Sequence, residues 1–172
     1  MNDKNIPQLS QLDQLAFEMI AWDSEDPKRI QHFLKVHALS RLIGLGEHLS
    51  APELFTLEAA AYVHDIGIRA AEQKYGHQNG KLQEELGPPL AEELLKRLGF
   101  EDSVISRVSW LVGHHHTYTG IDDLDYRILI EADWLVNNYE YGLTNRAIYA
   151  SYDQIFVTET GKKVFRQMFG KA

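Results

Sequence analysis

Apolar residues recur at helical spacing along almost the whole chain of 172 residues, and this spacing is the feature that most constrains the fold. On one face of an α-helix, residues three, four and seven positions apart lie together, whereas a half-buried strand alternates apolar and polar residues. The sequence shows no convincing alternating stretch, internal repeat or low-complexity tract. It therefore predicts an all-α helical bundle in a single domain.

Capping residues and glycines divide this pattern into helices. Pro27 follows Asp26, a pair typical of a helix start, and Gly67 is expected to end another helix. Residues 68–87 contain three glycines and are mostly polar, so we expect a short helix and a surface loop there. The predicted helices span about residues 8–21, 27–49, 50–66, 88–98, 102–115 and 124–141, with two short C-terminal segments within about 144–170.

Composition excludes several classes of partner. The formal charge of −8, from 17 basic and 25 acidic residues, argues against binding to duplex nucleic acid or to an anionic membrane. A small anionic substrate stays compatible with this charge if a metal ion supplies local positive charge. The absence of cysteine, of a secretory pattern and of a bilayer-length apolar run predicts a cytoplasmic protein. Homodimerisation stays an open alternative.

Two histidines interrupt the apolar faces of the predicted helices. His32 stands in register with Val36 and Leu39, and His64 follows Leu57 by seven residues. Both imidazoles are therefore expected to point into the core. A single inward histidine is more often a hydrogen-bonded core residue than a metal ligand, so neither position identifies a site by itself.

Two aspartates accompany these histidines. Asp65 follows His64 directly, and Asp133 stands within the apolar stripe of the predicted helix 124–141. A buried carboxylate without a partner costs several kcal/mol or takes up a proton, so it requires a cation or dense hydrogen bonding. Two imidazoles and two carboxylates on three inward helix faces form a set that a helical bundle can bring together on one divalent ion. A helical bundle that binds no metal is the alternative.

The order of these residues resembles a known family. His32, then His64 with Asp65, then Asp133 in ILIEADWLVN resemble the H…HD…D signature of the HD-domain metal-dependent phosphohydrolases, an all-α superfamily. The segments RIQHFLKVHALSRLIG, AAAYVHDIG and GPPLAEELLKRLGF look like those of that family, in the same order, within a motif-bearing core of about residues 27–140. The resemblance implies an HD-domain-like bundle in which these four residues are metal ligands.

Binuclear members of the family add two histidines between the HD pair and the last aspartate. His115 resembles the second of them, since it continues the apolar stripe of the helix predicted before it. Where the first would fall the sequence has QEELGPP, with Glu84 or Glu85 as the candidate ligand, and His77 lies too early in the chain. The resemblance therefore favours a mononuclear site, with a second ion held by His115 and Glu85 as the alternative.

The resemblance implies phosphoester hydrolysis. A divalent Mn, Fe, Co, Ni or Zn ion suits the ligand set, and such an ion lowers the pKa of a water from about 15.7 toward 7. We expect the substrate to be a small phosphorylated metabolite, a nucleotide rather than a sugar phosphate. The alternative is a catalytically silent HD-fold module that binds a metal or a nucleotide for regulation.

Several charged residues are candidates for the remaining catalytic roles. Asp65 is expected to contact the attacking water as well as the metal ion. Arg69, Glu72 and Lys74 follow the HD pair closely enough to line the same mouth, although a charge run of this kind is usually a solvated face. Among the three consecutive histidines 114–116, one or two can face the site, and His115 is the one that the apolar stripe selects.

Overall fold

The computed structural model describes residues 8–150 and 152–170. In these residues the backbone forms ten helices and no strand. The helices are α1 Gln11–Trp22, α2 Pro27–Gly46, α3 Ala51–Val63, α4 Gly67–Tyr75, α5 Gly80–Arg97, α6 Asp102–Val112, α7 Leu124–Glu140, α8 Asn145–Ala150, α9 Tyr152–Ile155 and α10 Glu159–Phe169. The predicted all-α fold in a single domain is therefore confirmed.

Side-chain caps begin α2 and α3 where the sequence predicts them. The Asp26 side chain accepts a hydrogen bond from the Arg29 N–H at 3.0 Å, and Pro27 follows as the first residue of α2. Ser50 and Glu53 form a capping box at the start of α3. These caps satisfy N–H groups that have no acceptor within their own helix.

The start of α5 differs from the prediction. The sequence predicts a loop up to residue 87, whereas α5 begins at Gly80, where the Asn79 side chain accepts a hydrogen bond from the Leu82 N–H at 3.0 Å. Pro88 and Pro89 lie inside this helix rather than at its first turn. Asn79 is therefore the cap that fixes the helix start, and the later prolines do not mark it.

The glycines of this segment allow close packing rather than a loop. A Cβ atom on Gly67 would lie 2.8 Å from the backbone oxygen of Gln83, and one on Gly87 would lie 2.6 Å from the side chain of Val112. Both distances are shorter than van der Waals contact, so only glycine lets α4 and α6 approach α5 this closely. This approach brings Gln83 to the inner face of the bundle.

Other predicted boundaries also shift. The predicted second helix reaches residue 49, but α2 ends at Gly46 because His48 adopts a left-handed φ of 61° and the Leu49 N–H donates to the Gly44 oxygen at 3.0 Å. α6 ends at Val112 rather than at residue 115. The described C-terminal residues form three helices, α8 to α10, instead of two segments.

α3 is the central helix of the bundle and packs against α1, α2, α6 and α7. Its residues Leu57, Ala59, Ala60, Ala61 and Val63 are completely buried. The three small alanine side chains let neighbouring helices approach α3 from several sides. None of the described helices combines the length and the apolar character needed to span a bilayer.

The C-terminal segment is attached to α7 by a buried carboxylate. Glu131 is fully buried and accepts hydrogen bonds from the N–H groups of Val157 and Thr158, at 2.7 and 2.9 Å, and from the Thr158 hydroxyl at 2.5 Å. A Cβ atom on Gly161 would lie 1.9 Å from Glu131 Oε2. The first turn of α10 therefore depends on a glycine to fit against this carboxylate.

Candidate metal centre

Four polar side chains meet where α2, the end of α3 and α7 come together. His32 lies on α2, His64 is the residue after α3, Asp65 lies in the following turn, and Asp133 lies on α7. The Nε2 atom of His32 is 3.2 Å from that of His64, 3.2 Å from Asp133 Oδ1 and 3.5 Å from Asp65 Oδ2. His64 Nε2 is 3.5 Å from Asp65 Oδ2 and 3.7 Å from Asp133 Oδ1. The structure thus brings together all four residues that the sequence selects.

These separations fit a shared ion. Ligand atoms about 2.1 Å from one metal ion, at tetrahedral or octahedral angles, lie roughly 3.0–3.4 Å from each other. The five separations above, 3.2 to 3.7 Å, are close to that range. Two nitrogen and two oxygen donors also suit a divalent transition metal. His32, His64 and Asp65 therefore lie close enough together to hold a metal ion, and Asp133 Oδ1 lies 3.2 and 3.7 Å from the two imidazole Nε2 atoms.

Hydrogen bonds to the other ring nitrogens orient the two imidazoles. His64 Nδ1 donates to the backbone oxygen of Ala61 at 2.9 Å, and His32 Nδ1 donates to Glu140 Oε2 at 3.0 Å. Because a carbonyl or carboxylate oxygen accepts from Nδ1, the Nε2 lone pair of each neutral ring faces the centre of the cluster. Lys35 Nζ in turn binds the Glu140 carboxylate at 2.6 Å.

Sequence analysis misses Glu140 and Lys35. Glu140 follows Asp133 by seven residues, so the helical register already places both carboxylates on the same face of α7. A carboxylate that accepts from a ligand histidine is a common partner in metal sites. Searching the predicted helix for this i+7 relation would have found Glu140.

Charge and burial act in opposite directions on the cluster. Burial disfavours protonation of His32, but hydrogen bonding to Asp133 and the charge of Asp65 outweigh it and raise its pKa to about 9. Burial would likewise raise the pKa values of Asp65 and Asp133, but the imidazoles His32 and His64 hold both pKa values below the ordinary range. The imidazolium form of His32 therefore balances carboxylate charge below about pH 9, and a metal ion at its Nε2 atom would have to displace that proton.

A second group of side chains adjoins the first through Asp65. The Oδ1 atom of this aspartate is 3.4 Å from His115 Nε2, while Oδ2 faces the first group. His115 Nδ1 donates to the Val112 oxygen at 2.8 Å, which leaves Nε2 facing Asp65. His116 Nε2 lies 2.7 Å from Gln83 Oε1. Asp65, His115 and His116 together could hold a second ion.

α5 contributes Gln83 to this second group and not Glu85. Glu85 is exposed and lies outside both groups, which corrects its predicted role as a ligand. Side chains two positions apart on a helix point about 200° apart around its axis, so Gln83 and Glu85 face opposite sides of α5. Glu84 accepts hydrogen bonds from the His116 N–H at 3.0 Å and the Thr117 hydroxyl at 2.9 Å, and thereby holds the loop after α6.

The charged residues of α4 do not line the cleft above the cluster. Glu72 accepts a hydrogen bond from Arg29 Nη2 at 2.5 Å, and Arg69 donates to the backbone oxygen of Trp22. Lys74 is exposed and lies over the ring of Tyr75. The structure therefore places Arg69 and Glu72 in contacts between α4 and the α1–α2 segment, and Lys74 on the surface.

The cleft itself opens on His32 and Asp65 and has a volume of about 190 Å³. Its walls come from the start of α2, the end of α7 and the segment before α5, with Asp26, Lys28, Arg29, Gln78, Glu140 and Tyr141 among the lining residues. Because the imidazole of His32 and the carboxylate of Asp65 both line this cleft, a small molecule could approach the cluster directly.

An all-α bundle with an H, HD, D cluster facing a small cleft defines a class of helical metal-binding domains. Residues 29–138 match the family model of the HD domain. The chain therefore belongs to the HD domain family, which confirms the resemblance noted in its sequence.

Among solved structures, the chain is similar to the crystal structure of a predicted HD superfamily hydrolase from an uncultured Thermotogales bacterium. The TM-score is 0.64 and the sequence identity 27%, over 98% of this chain and 91% of that chain. Comparison with curated proteins gives no match.

Proposed function

We propose that the protein is a metal-dependent phosphohydrolase that hydrolyses a phosphoester of a small metabolite, a nucleotide in preference to a sugar phosphate. The observation that carries this proposal is the open side of the cluster. The four ligand atoms lie 3.2 to 3.7 Å apart in five of their pairings, and the cleft reaches two of the four residues. A purely structural ion is normally enclosed by its ligands, whereas a catalytic one keeps a position for water or substrate.

The chain's residues have separate tasks in this proposal. A divalent ion supplies a Lewis acid for a phosphoryl oxygen and an acidified water. His32, His64 and Asp133 hold the ion, and the hydrogen bond from His32 to Glu140 fixes its ring. Asp65 has a side chain that is 26% exposed, which lets it contact both the ion and a water in the cleft.

The first group is proposed to bind one Mn, Fe, Co, Ni or Zn ion. A second ion at Asp65, His115 and His116 is supported by their spacing and by the amide oxygen of Gln83 nearby. Asp65 is the only carboxylate in that second set. Fewer anionic donors predict weaker binding of the second ion than of the first.

The alternative function is a regulatory module that holds a metal ion but hydrolyses nothing. The experiment measures metal content by elemental mass spectrometry on untagged protein, and turnover on phosphomonoesters, phosphodiesters and nucleoside triphosphates. We expect about one equivalent or more of metal, turnover on at least one substrate, and loss of turnover in Asp65→Ala. Glu93→Ala removes an exposed carboxylate of α5 and is the matched control.

Circular dichroism of Asp65→Ala separates loss of chemistry from loss of fold. A protein that carries its metal and hydrolyses none of these substrates would support the regulatory module instead. A protein that binds no added Mn, Fe or Zn would contradict both.

A further inference from the structure

The cleft above the cluster has mostly negative walls. Asp26, Asp65 and Glu140 contribute carboxylates to it, while Lys28 and Arg29 contribute cations. A phosphorylated substrate is an anion and needs a cation that is not already paired with one of these carboxylates. A cation that already forms an ion pair is therefore less able to bind the substrate than one that does not.

Most cations around the cleft are paired. Arg29 lies 3.2 Å from the Asp26 carboxylate and 2.5 Å from that of Glu72. Lys35 lies 2.6 Å from the carboxylate of Glu140. Lys28 lines the cleft, is exposed, and forms no ion pair within the described part of the chain.

The position of Lys28 serves no evident purpose for its helix. It is the second residue of α2, in the turn where the helix dipole favours acidic side chains and disfavours basic ones. Its Nζ atom lies 5.5 Å from the ring centroid of Tyr141, at the end of α7 across the cleft. A cation–π contact at this distance holds the ammonium group beside the cleft.

We propose that Lys28 binds the phosphate of the substrate and that Tyr141 is a positioning residue for Lys28. This inference rests on the proposed phosphohydrolase function and narrows its substrate class. One unpaired lysine among three carboxylates matches the charge of a phosphomonoester better than that of a nucleoside triphosphate. The substrate is therefore a small phosphomonoester.

The experiment uses metal-loaded full-length protein and two readouts. Calorimetric titration with inorganic phosphate, the product of monoester hydrolysis, measures binding without turnover. Steady-state kinetics on a nucleoside monophosphate, the matching triphosphate and 4-nitrophenyl phosphate measure KM and kcat separately. Lys163→Met changes an exposed lysine of α10 and is the matched control.

We expect Lys28→Met to weaken phosphate binding and raise KM for monoesters by about tenfold, with kcat within about twofold and metal content unchanged. Tyr141→Ala should produce a smaller change in the same direction. Tyr141→Phe should keep the phosphate affinity and the KM of the wild type, since the ring alone makes the contact. Triphosphate should be hydrolysed more slowly than monoester.

Equal phosphate affinity and equal KM in Lys28→Met and wild type would overturn the role of Lys28. Faster hydrolysis of triphosphate than of monoester would overturn the substrate class. If the wild type hydrolyses nothing but Lys28→Met still loses phosphate binding, the proposed function fails while the binding role of Lys28 stands.

Discussion

Glu131 and Asp133 lie two residues apart on α7, and both carboxylates are almost completely buried. They face different sides of the helix, because a separation of two positions corresponds to about 200° of rotation around the helix axis. Glu131 accepts three hydrogen bonds from Val157 and Thr158 at the start of the C-terminal segment. Asp133 faces the imidazoles of His32 and His64.

The comparison shows that the partners of a buried carboxylate, rather than its burial, identify a metal site. The partners of Glu131 are fixed N–H and O–H donors, so the protein itself satisfies the group. Asp133 Oδ1 accepts one fixed bond, from Asn137 Nδ2 at 2.9 Å. Its other partners are ring nitrogens whose lone pairs face the same point when the rings are neutral, so a cation or a proton is needed there. Burial raises the pKa of Glu131, whereas the imidazoles overcome burial and hold the pKa of Asp133 below its ordinary value.

Removing Asp133 should have the largest effect. We expect Asp133→Ala to lose most of its metal and to lower turnover at least about 100-fold, because ligand loss exceeds the 10–100-fold effect typical of outer-shell partners. Metal content and kcat/KM measure this loss. Retention of a full equivalent of metal by the folded variant would contradict the assignment of Asp133 as a ligand.

Removing Glu131 should reverse this pattern. Glu131→Ala leaves two N–H groups and a hydroxyl without their acceptor, so we expect a loss of about 3 kcal/mol in the free energy of unfolding. Gly161→Ala should also destabilise the protein, since the added methyl would overlap Glu131. Urea unfolding measures both effects. The folded fraction of each variant should keep the metal content of the wild type, and a selective loss of metal would break the comparison.

The second group gives a smaller and more specific prediction. Gln83→Ala should weaken binding of a second ion by about tenfold, because its amide oxygen lies next to both His115 and His116. Glu85→Ala should leave both ions unaffected, since this side chain is exposed. Titration of metal-free protein with Mn or Zn measures both affinities. A loss of the second ion in Glu85→Ala, without such a loss in Gln83→Ala, would show that Glu85 is a ligand, as the sequence predicts.

Helical periodicity places His32, His64 and Asp133 on inward helix faces. The resemblance to the HD-domain family assigns these three residues and Asp65 as ligands. The packing of α5 was not accessible in the same way. Gly87 and Gly67 are read locally as helix breakers, but their role is to allow contact with residues distant in sequence. The inward position of Gln83 follows from that contact and not from the local pattern.

The fully satisfied Glu131 was also missed by sequence analysis. Its partners, residues 157 and 158, belong to a turn before α10 whose position relative to α7 no periodicity specifies. Asp133 was found because it interrupts an apolar stripe and matches a family motif. Glu131 also stands among apolar residues of the same helix, but it is not part of the family motif. Only the tertiary structure therefore distinguishes the roles of the two carboxylates.

A third carboxylate extends the comparison to a group with neither kind of partner. Asp23 is only 7% exposed and its side chain accepts no hydrogen bond within the described residues. Burial raises its pKa to about 6, against the opposing charge of Arg29. The folded state therefore holds a disfavoured charge above pH 6, and this cost disappears as the pH falls toward the unfolded pKa near 4.

Asp23→Asn should raise the free energy of unfolding by about 1 kcal/mol at pH 8 and leave it nearly unchanged at pH 4. Urea unfolding of variant and wild type at both pH values measures the difference, in which the titration of the histidine cluster cancels. Glu93→Ala, which changes an exposed carboxylate, should show no such dependence on pH. A stabilisation that is equal at pH 4 and pH 8 would mean that the charge of Asp23 is not disfavoured in the fold.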